Sequence, residues 1–137
     1  MKKLFSTLAL AMMTSLAATA QTVQNANYST FAHIKKDGTV QNSTYSTIGY
    51  IKSDGTVQDK TYHTVGYIKS NGTIQNATYS TIGYVKDDGT VQNSTYNTLG
   101  YIKSDGTVQD KTYHTIGHAK DVKPAWAALL FFFQLLK

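Results

Sequence analysis

From Thr22 onward, short β-prone runs alternate with polar turn clusters on a fixed period of 17 residues. In a typical unit, Thr47-Ile48-Gly49-Tyr50-Ile51-Lys52 is rich in β-branched and aromatic residues, Ser53-Asp54-Gly55 carries a turn signal, and Thr56-Val57-Gln58 resumes β propensity. The pattern predicts a β-hairpin in each unit. A two-residue Asp-Gly loop would set Ile51 opposite Gln58. A three-residue Ser-Asp-Gly loop, with Gly55 in the left-handed conformation, sets Ile51 opposite Val57 and so matches apolar with apolar. The same turn recurs at Asp37-Gly38, Asn71-Gly72, Asp88-Gly89 and Asp105-Gly106. Asp and Asn both tolerate this geometry, so these side chains read as turn formers before they read as catalytic acids.

Alternation along the longer strand places Thr47, Gly49 and Ile51 on one face with Val57, and Ile48, Tyr50 and Lys52 on the other with Thr56 and Gln58. Gly49 recurs as Gly66, Gly83, Gly100 and Gly117, with Ala32 in the first copy. A glycine inside a strand costs stability unless something approaches the backbone closely. This face is therefore expected to point toward a narrow centre on which the hairpins converge. The opposite face carries the candidate ligand surface: His33, Tyr50, Tyr67, Tyr84, Tyr101 and His118, beside the glutamines Gln24, Gln41, Gln58, Gln75, Gln92 and Gln109. Tyrosine suits such a surface, being a rigid apolar ring with a polar tip. The competing reading is that these rings pack between neighbouring units. A further series, Tyr28, Tyr45, Tyr62, Tyr79, Tyr96 and Tyr113, falls in the connections between hairpins.

Units that cannot bury a core singly must share one by stacking or ringing. The copies begin at Thr22, Thr39, Thr56, Thr73, Thr90 and Thr107, and Lys52–Thr64 is repeated identically as Lys103–Thr115, 51 residues on. The leading Thr22-Val23-Gln24 lacks a strand before it and the closing Thr115-Ile116-Gly117-His118 lacks one after it, so pairing the two ends would close a ring and remove exposed edges. Five intact glycine turns against six units leave five or six petals open. Units such as GYIKSDGTVQ resemble those of the secreted bacterial β-flower proteins, known in fourfold and fivefold forms, over Thr22 to about Lys120. The resemblance implies short hairpins arranged as petals about an axis and carries no activity with it. A second likeness, to the aromatic hairpin repeats of choline-binding cell-wall modules, lacks their tryptophans. The expected fold is all-β, a ring or flower of short β-hairpins with a short C-terminal apolar helix packing on one end.

The ends of the chain depart from the repeat. Lys2 and Lys3, the apolar run Leu4–Ala18 and the small residues Ala18-Thr19-Ala20 read as a signal peptide over 1–20, and hence a periplasmic or secreted bacterial protein. Residues 21–122 are then the repeat domain and 123–137 the tail. Pro124 precedes Ala125–Leu136, apolar nearly all round and too short to span a bilayer. It is expected to be a helix that plugs the open end of the ring; the alternative is contact with a membrane interface or a partner's groove.

Chemistry is sparse. Cysteine, arginine and glutamate are absent, and without Lys2 and Lys3 the net charge falls from +5 to +3. Lysines spread thinly along repeats do not make a nucleic-acid reader, which relies on arginine clusters. No Gly-x-Ser-x-Gly elbow or phosphate-cradling loop occurs. A zinc site needs three or four ligands with suitable spacing, and with neither cysteine nor glutamate the supply among four histidines is thin. His33 and His118 replace tyrosine in the outermost units and would become neighbours if the ring closed, giving the single candidate seam site for a small hydrolase or a metal. The favoured expectation is non-enzymatic: no cofactor, no metal, no nucleic acid, and a structural or binding role toward an envelope glycan or protein.

Overall fold

The computed structural model describes residues 21–136; the expected signal peptide lies outside the described residues. Twelve short strands run in chain order: β1 (Gln21–Asn25), β2 (Thr30–Ile34), β3 (Thr39–Asn42), β4 (Thr47–Ile51), β5 (Thr56–Asp59), β6 (Thr64–Ile68), β7 (Thr73–Asn76), β8 (Thr81–Val85), β9 (Thr90–Asn93), β10 (Thr98–Ile102), β11 (Thr107–Asp110) and β12 (Thr115–His118). Each pairs antiparallel with its neighbours, and β1 pairs with β12 through Gln24 opposite His118, so the sheet closes into a barrel. The ring therefore has six two-strand sectors, five of them linked to the next by a glycine turn.

The glycine turns have the expected register, Ile51 opposite Val57. Lys52 N–H donates to Thr56 O at 2.8 Å and Gly55 N–H to Lys52 O at 2.9 Å, enclosing a three-residue loop. Gly55 has φ +92°, and a Cβ there would overlap the carbonyl of Ile68 in the next unit. Both the dihedral and the space require glycine. The Asp54 carboxylate accepts the Thr56 N–H at 2.9 Å, and Asn71 holds Thr73 N–H in the same way at 3.0 Å.

That hydrogen bond from the threonine backbone, reinforced by the threonine side chain, holds the carboxyls of Asp37, Asp54, Asp88 and Asp105 below their ordinary value. A carboxyl with a folded pKa below its unfolded value of about 3.9 stabilises the fold above that pH, and the contribution is lost as pH falls through the lowered value. Replacing these four aspartates with Asn, as Asn71 already stands in the third unit, should move the acid-unfolding midpoint to lower pH while leaving the neutral-pH melting temperature nearly unchanged. Circular dichroism during acid titration checks this; an unmoved midpoint would assign acid unfolding to other groups.

The segments expected to connect hairpins are themselves hairpin turns. Tyr45 N–H donates to Asn42 O at 3.0 Å and Asn42 N–H to Ser46 O at 2.9 Å, the same loop as at Gly55 but with tyrosine at the left-handed position. Just inside each of these turns the register shifts by one residue, with Gln41 opposite Thr47 but Val40 opposite Gly49. The extra residue, Ile48, packs against the core instead of sharing the outer face with Tyr50, which corrects the simple alternation.

The inner face is otherwise as expected. Val23, Val40, Val57, Ile74, Val91 and Val108 are fully buried, and the strand glycines lie beneath the tail. The tail forms one α-helical turn, α1 (Pro124–Ala128), with proline at its start, and then a π-helical turn (Leu129–Phe133) closed by Gln134 N–H to Leu129 O at 2.8 Å. Gln134 is left-handed at φ 51° and exposed, and Leu135-Leu136 continue without helix. Phe131, Phe132, Phe133, Leu135 and Leu136 contact Gly117, Gly100, Gly83, Gly66 and Gly49 in that order. One tail side chain thus fills the space above each glycine, so the short helical tail packs into the ring as expected, with a π turn and a non-helical Leu135-Leu136 in place of a regular helix to Leu136. An α-helix turns by about 100° per residue, whereas adjacent sectors of a six-sector ring are roughly 60° apart. The wider π turn brings three successive phenylalanines onto three successive sectors. No helix among the described residues is long and apolar enough to cross a membrane.

Candidate functional site

The outer wall carries six stacked aromatic pairs. Each pair joins a strand ring to the turn tyrosine of the next tyrosine hairpin: Tyr50 with Tyr62, Tyr67 with Tyr79, Tyr84 with Tyr96 and Tyr101 with Tyr113, at centroid separations of 4.6–4.8 Å and nearly parallel. His33 stacks on Tyr45 at 4.2 Å, and His118 on Tyr28 at 4.0 Å across the closure. In the four tyrosine pairs the strand phenol donates to the turn phenol at 3.1–3.2 Å. That hydrogen bond raises the pKa of Tyr50, Tyr67, Tyr84 and Tyr101, because the donor would lose it on ionising.

The structure places all six sequence-predicted residues on this wall, but not as a bare surface. Each is covered by a partner ring, with His33 buried and the other five half-buried, and the exposed partner is the turn tyrosine, 65% accessible in every unit. The turn series was visible in the sequence; its stacking was not, since the partners lie twelve residues apart in adjacent hairpins. His33 and His118 do not meet. Strand β1 lies between β2 and β12, and the two imidazoles stack on different tyrosines. The Nε2 of His118 is buried without a partner. Among the described residues no group of three or more side chains could hold a metal ion.

The turn tyrosines have φ between 68° and 72°. For a residue with a Cβ, left-handed backbone costs about 1–2 kcal/mol, while an aromatic pair contributes about 0.5–1.5 kcal/mol beyond burial. The two nearly cancel, and glycine performs the same turn at the other end of strands β2 to β11. Tyr79→Gly should therefore change stability by less than about 1 kcal/mol, whereas Tyr79→Ala, which keeps the strain and loses the ring, should cost about 1–2 kcal/mol. Urea unfolding of both variants measures the difference, and a larger loss in the glycine variant would make the ring structural.

Two hollows adjoin at one sector. One, of about 420 Å³, lies beside the Tyr67–Tyr79 pair and is lined by Gln75, Lys69, Ser70 and Asp54. The other, of about 520 Å³, lies at the glycine-turn end between Lys52, Lys69, Lys86, Lys123 and the start of α1, with Pro124 and Trp126 in its lining. Ile68, Lys69, Ser70 and Asp54 belong to both, so they form one groove from wall to end.

Comparison with curated proteins and with solved structures returns no match. A family model described as 5-fold beta-flower protein matches residues 20–135, nearly the whole described chain. Five glycine turns, and five strand glycines each covered by a tail side chain, recur within the ring of six sectors. The repeat, the closed ring of hairpins and this match together place the chain in the 5-fold beta-flower family.

Proposed function

We propose that this protein is an exported, non-enzymatic binding module of the bacterial cell envelope, and that its wall of aromatic pairs holds a glycan. The observation that carries this reading is the turn tyrosine, kept six times in a strained conformation that glycine would relieve, with its ring largely exposed. Local strain retained without a stability gain points to function. Beside each strand ring stands a glutamine, as Gln58 opposite Tyr50 and Gln75 opposite Tyr67, so stacking and hydrogen-bonding groups recur together. Repetition around one barrel favours a polymer, because several weak contacts on one chain multiply. The separation of His33 from His118 removes the support for a seam hydrolase or metal site, and the fit of the tail to the glycines favours a plug over a membrane anchor.

The test is retention on immobilised envelope polysaccharide by the mature chain from Gln21 and by a variant with Tyr62, Tyr79, Tyr96 and Tyr113 changed to glycine. Retention of the first and loss in a folded variant is the expected result. Equal behaviour of the two would overturn the reading. Export itself is tested by the mass of protein recovered outside the cytoplasm, expected to begin at Gln21.

A further inference from the structure

The geometry points to the groove at Lys69 as the binding site for an acidic sugar, with Trp126 as its stacking platform. This deepens the glycan reading above and rests on it.

Four lysines, Lys52, Lys69, Lys86 and Lys123, line the hollow at the glycine-turn end, against two carboxylates, Asp54 and Asp87. The ion pairs among the described residues are His63–Asp59 and His114–Asp110, both elsewhere, so none of these four ammonium groups is in contact with a carboxylate, although Lys52 and Lys86 act at longer range on Asp54 and Asp88. Asp54 is already engaged by the backbone of Thr56. Lys69, Ser70 and Gly72 of the middle turn line the hollow, and Asn71, between them but outside the lining, stands where the other four glycine turns have aspartate, so one negative charge is missing next to the hollow.

Trp126 adds the second element. It is the chain's single tryptophan, it is half-buried, and Lys123 Nζ lies 4.9 Å from its ring centroid. An aromatic surface and positive charge thus face the same hollow. Indole and phenol faces take the apolar face of a pyranose, lysines take its carboxylate or phosphate, and Ser53 and Ser70 are placed for its hydroxyls. At about 520 Å³ the hollow falls within the usual range for small-ligand sites, and its continuation past Ser70 to Tyr67, Tyr79 and Gln75 gives room for a further sugar unit. Simple anions would find the charge but not the stacking surface, and neutral sugars the reverse.

The emission of Trp126 reports binding directly. The mature protein is titrated with trigalacturonate, a glucuronate oligosaccharide and sialyllactose, then with galactotriose as neutral sugar and citrate as anion without a sugar. A saturable change with at least one acidic saccharide, and with neither control, is expected. Asn71→Asp restores the residue found in the other glycine turns and so keeps the fold; it should weaken that binding about tenfold, the effect of one added charge near the ligand. Lys69→Ala should weaken it at least as much. No response to any acidic saccharide, an equal response to citrate or galactotriose, or an unaffected Asn71→Asp variant would overturn the proposal. Retention of the mature protein on polysaccharide without a Trp126 response would sink this site alone, whereas failure of the mature protein itself to be retained would sink the wider reading.

Discussion

Truncation after Lys123 is expected to abolish the cooperative thermal transition of the mature protein. The missing segment contains Ala127, Ala128 and Leu129, all fully buried, and Leu136, nearly so. It also contains the five side chains that cover Gly117, Gly100, Gly83, Gly66 and Gly49. Burying one large apolar side chain contributes about 1.5–3 kcal/mol, and a whole domain is stable by only about 5–15 kcal/mol. Loss of several such contacts at once exceeds that margin. The barrel wall cannot compensate by collapsing, because its circumference is fixed by twelve hydrogen-bonded strands. Differential scanning calorimetry of full-length and truncated protein decides the matter. A truncated protein that melts cooperatively within a few degrees of the parent would show that the ring stands alone and would free the tail for another contact.

How far this architecture can be read from sequence depends on how local its causes are. The glycine turn is set by three adjacent residues, so the register Ile51 opposite Val57 follows from hydrophobic matching alone. Closure follows from the unpaired ends, and the inward glycine face from the cost of glycine in a strand. What escapes is whatever depends on two hairpins at once. Ile48 turns inward because a bulge breaks the period of two, and nothing in Thr47-Ile48-Gly49 distinguishes a bulge from regular strand. The stacking of Tyr50 on Tyr62 needs the relative placement of neighbouring hairpins, as does the separation of His33 from His118 by β1. The groove at Lys69 escaped for a related reason. Its lysines come from three different glycine turns and the tail, and the one informative local sign was asparagine for aspartate at Asn71, next to the lining residues Ser70 and Gly72.

The tail carries the opposite lesson, since its apolar character was plain while its conformation was not. Gly83→Ala tests the one-residue-per-sector arrangement and should cost about 2–3 kcal/mol, within the usual range for overpacking a core. A Cβ at Gly83 would overlap the Phe133 ring and stand 2.5 Å from Gln92 O. These two obstacles can be separated, because the first sector already carries a methyl group at the equivalent strand position, Ala32, buried to 1% exposure. The wall therefore accepts a Cβ at this position, and the clash with Phe133 should dominate. Phe133→Ala alone should cost about 3 kcal/mol through the cavity it leaves. Combining the two should cost less than their sum by about 1–2 kcal/mol, since the alanine methyl enters space the ring has vacated. Urea denaturation of the two single variants and the double variant gives the coupling energy. An additive result would mean that the Gln92 carbonyl alone excludes the side chain, and the pairing of Phe133 with Gly83 would then be a consequence of the barrel wall and not a determinant of how the tail is seated.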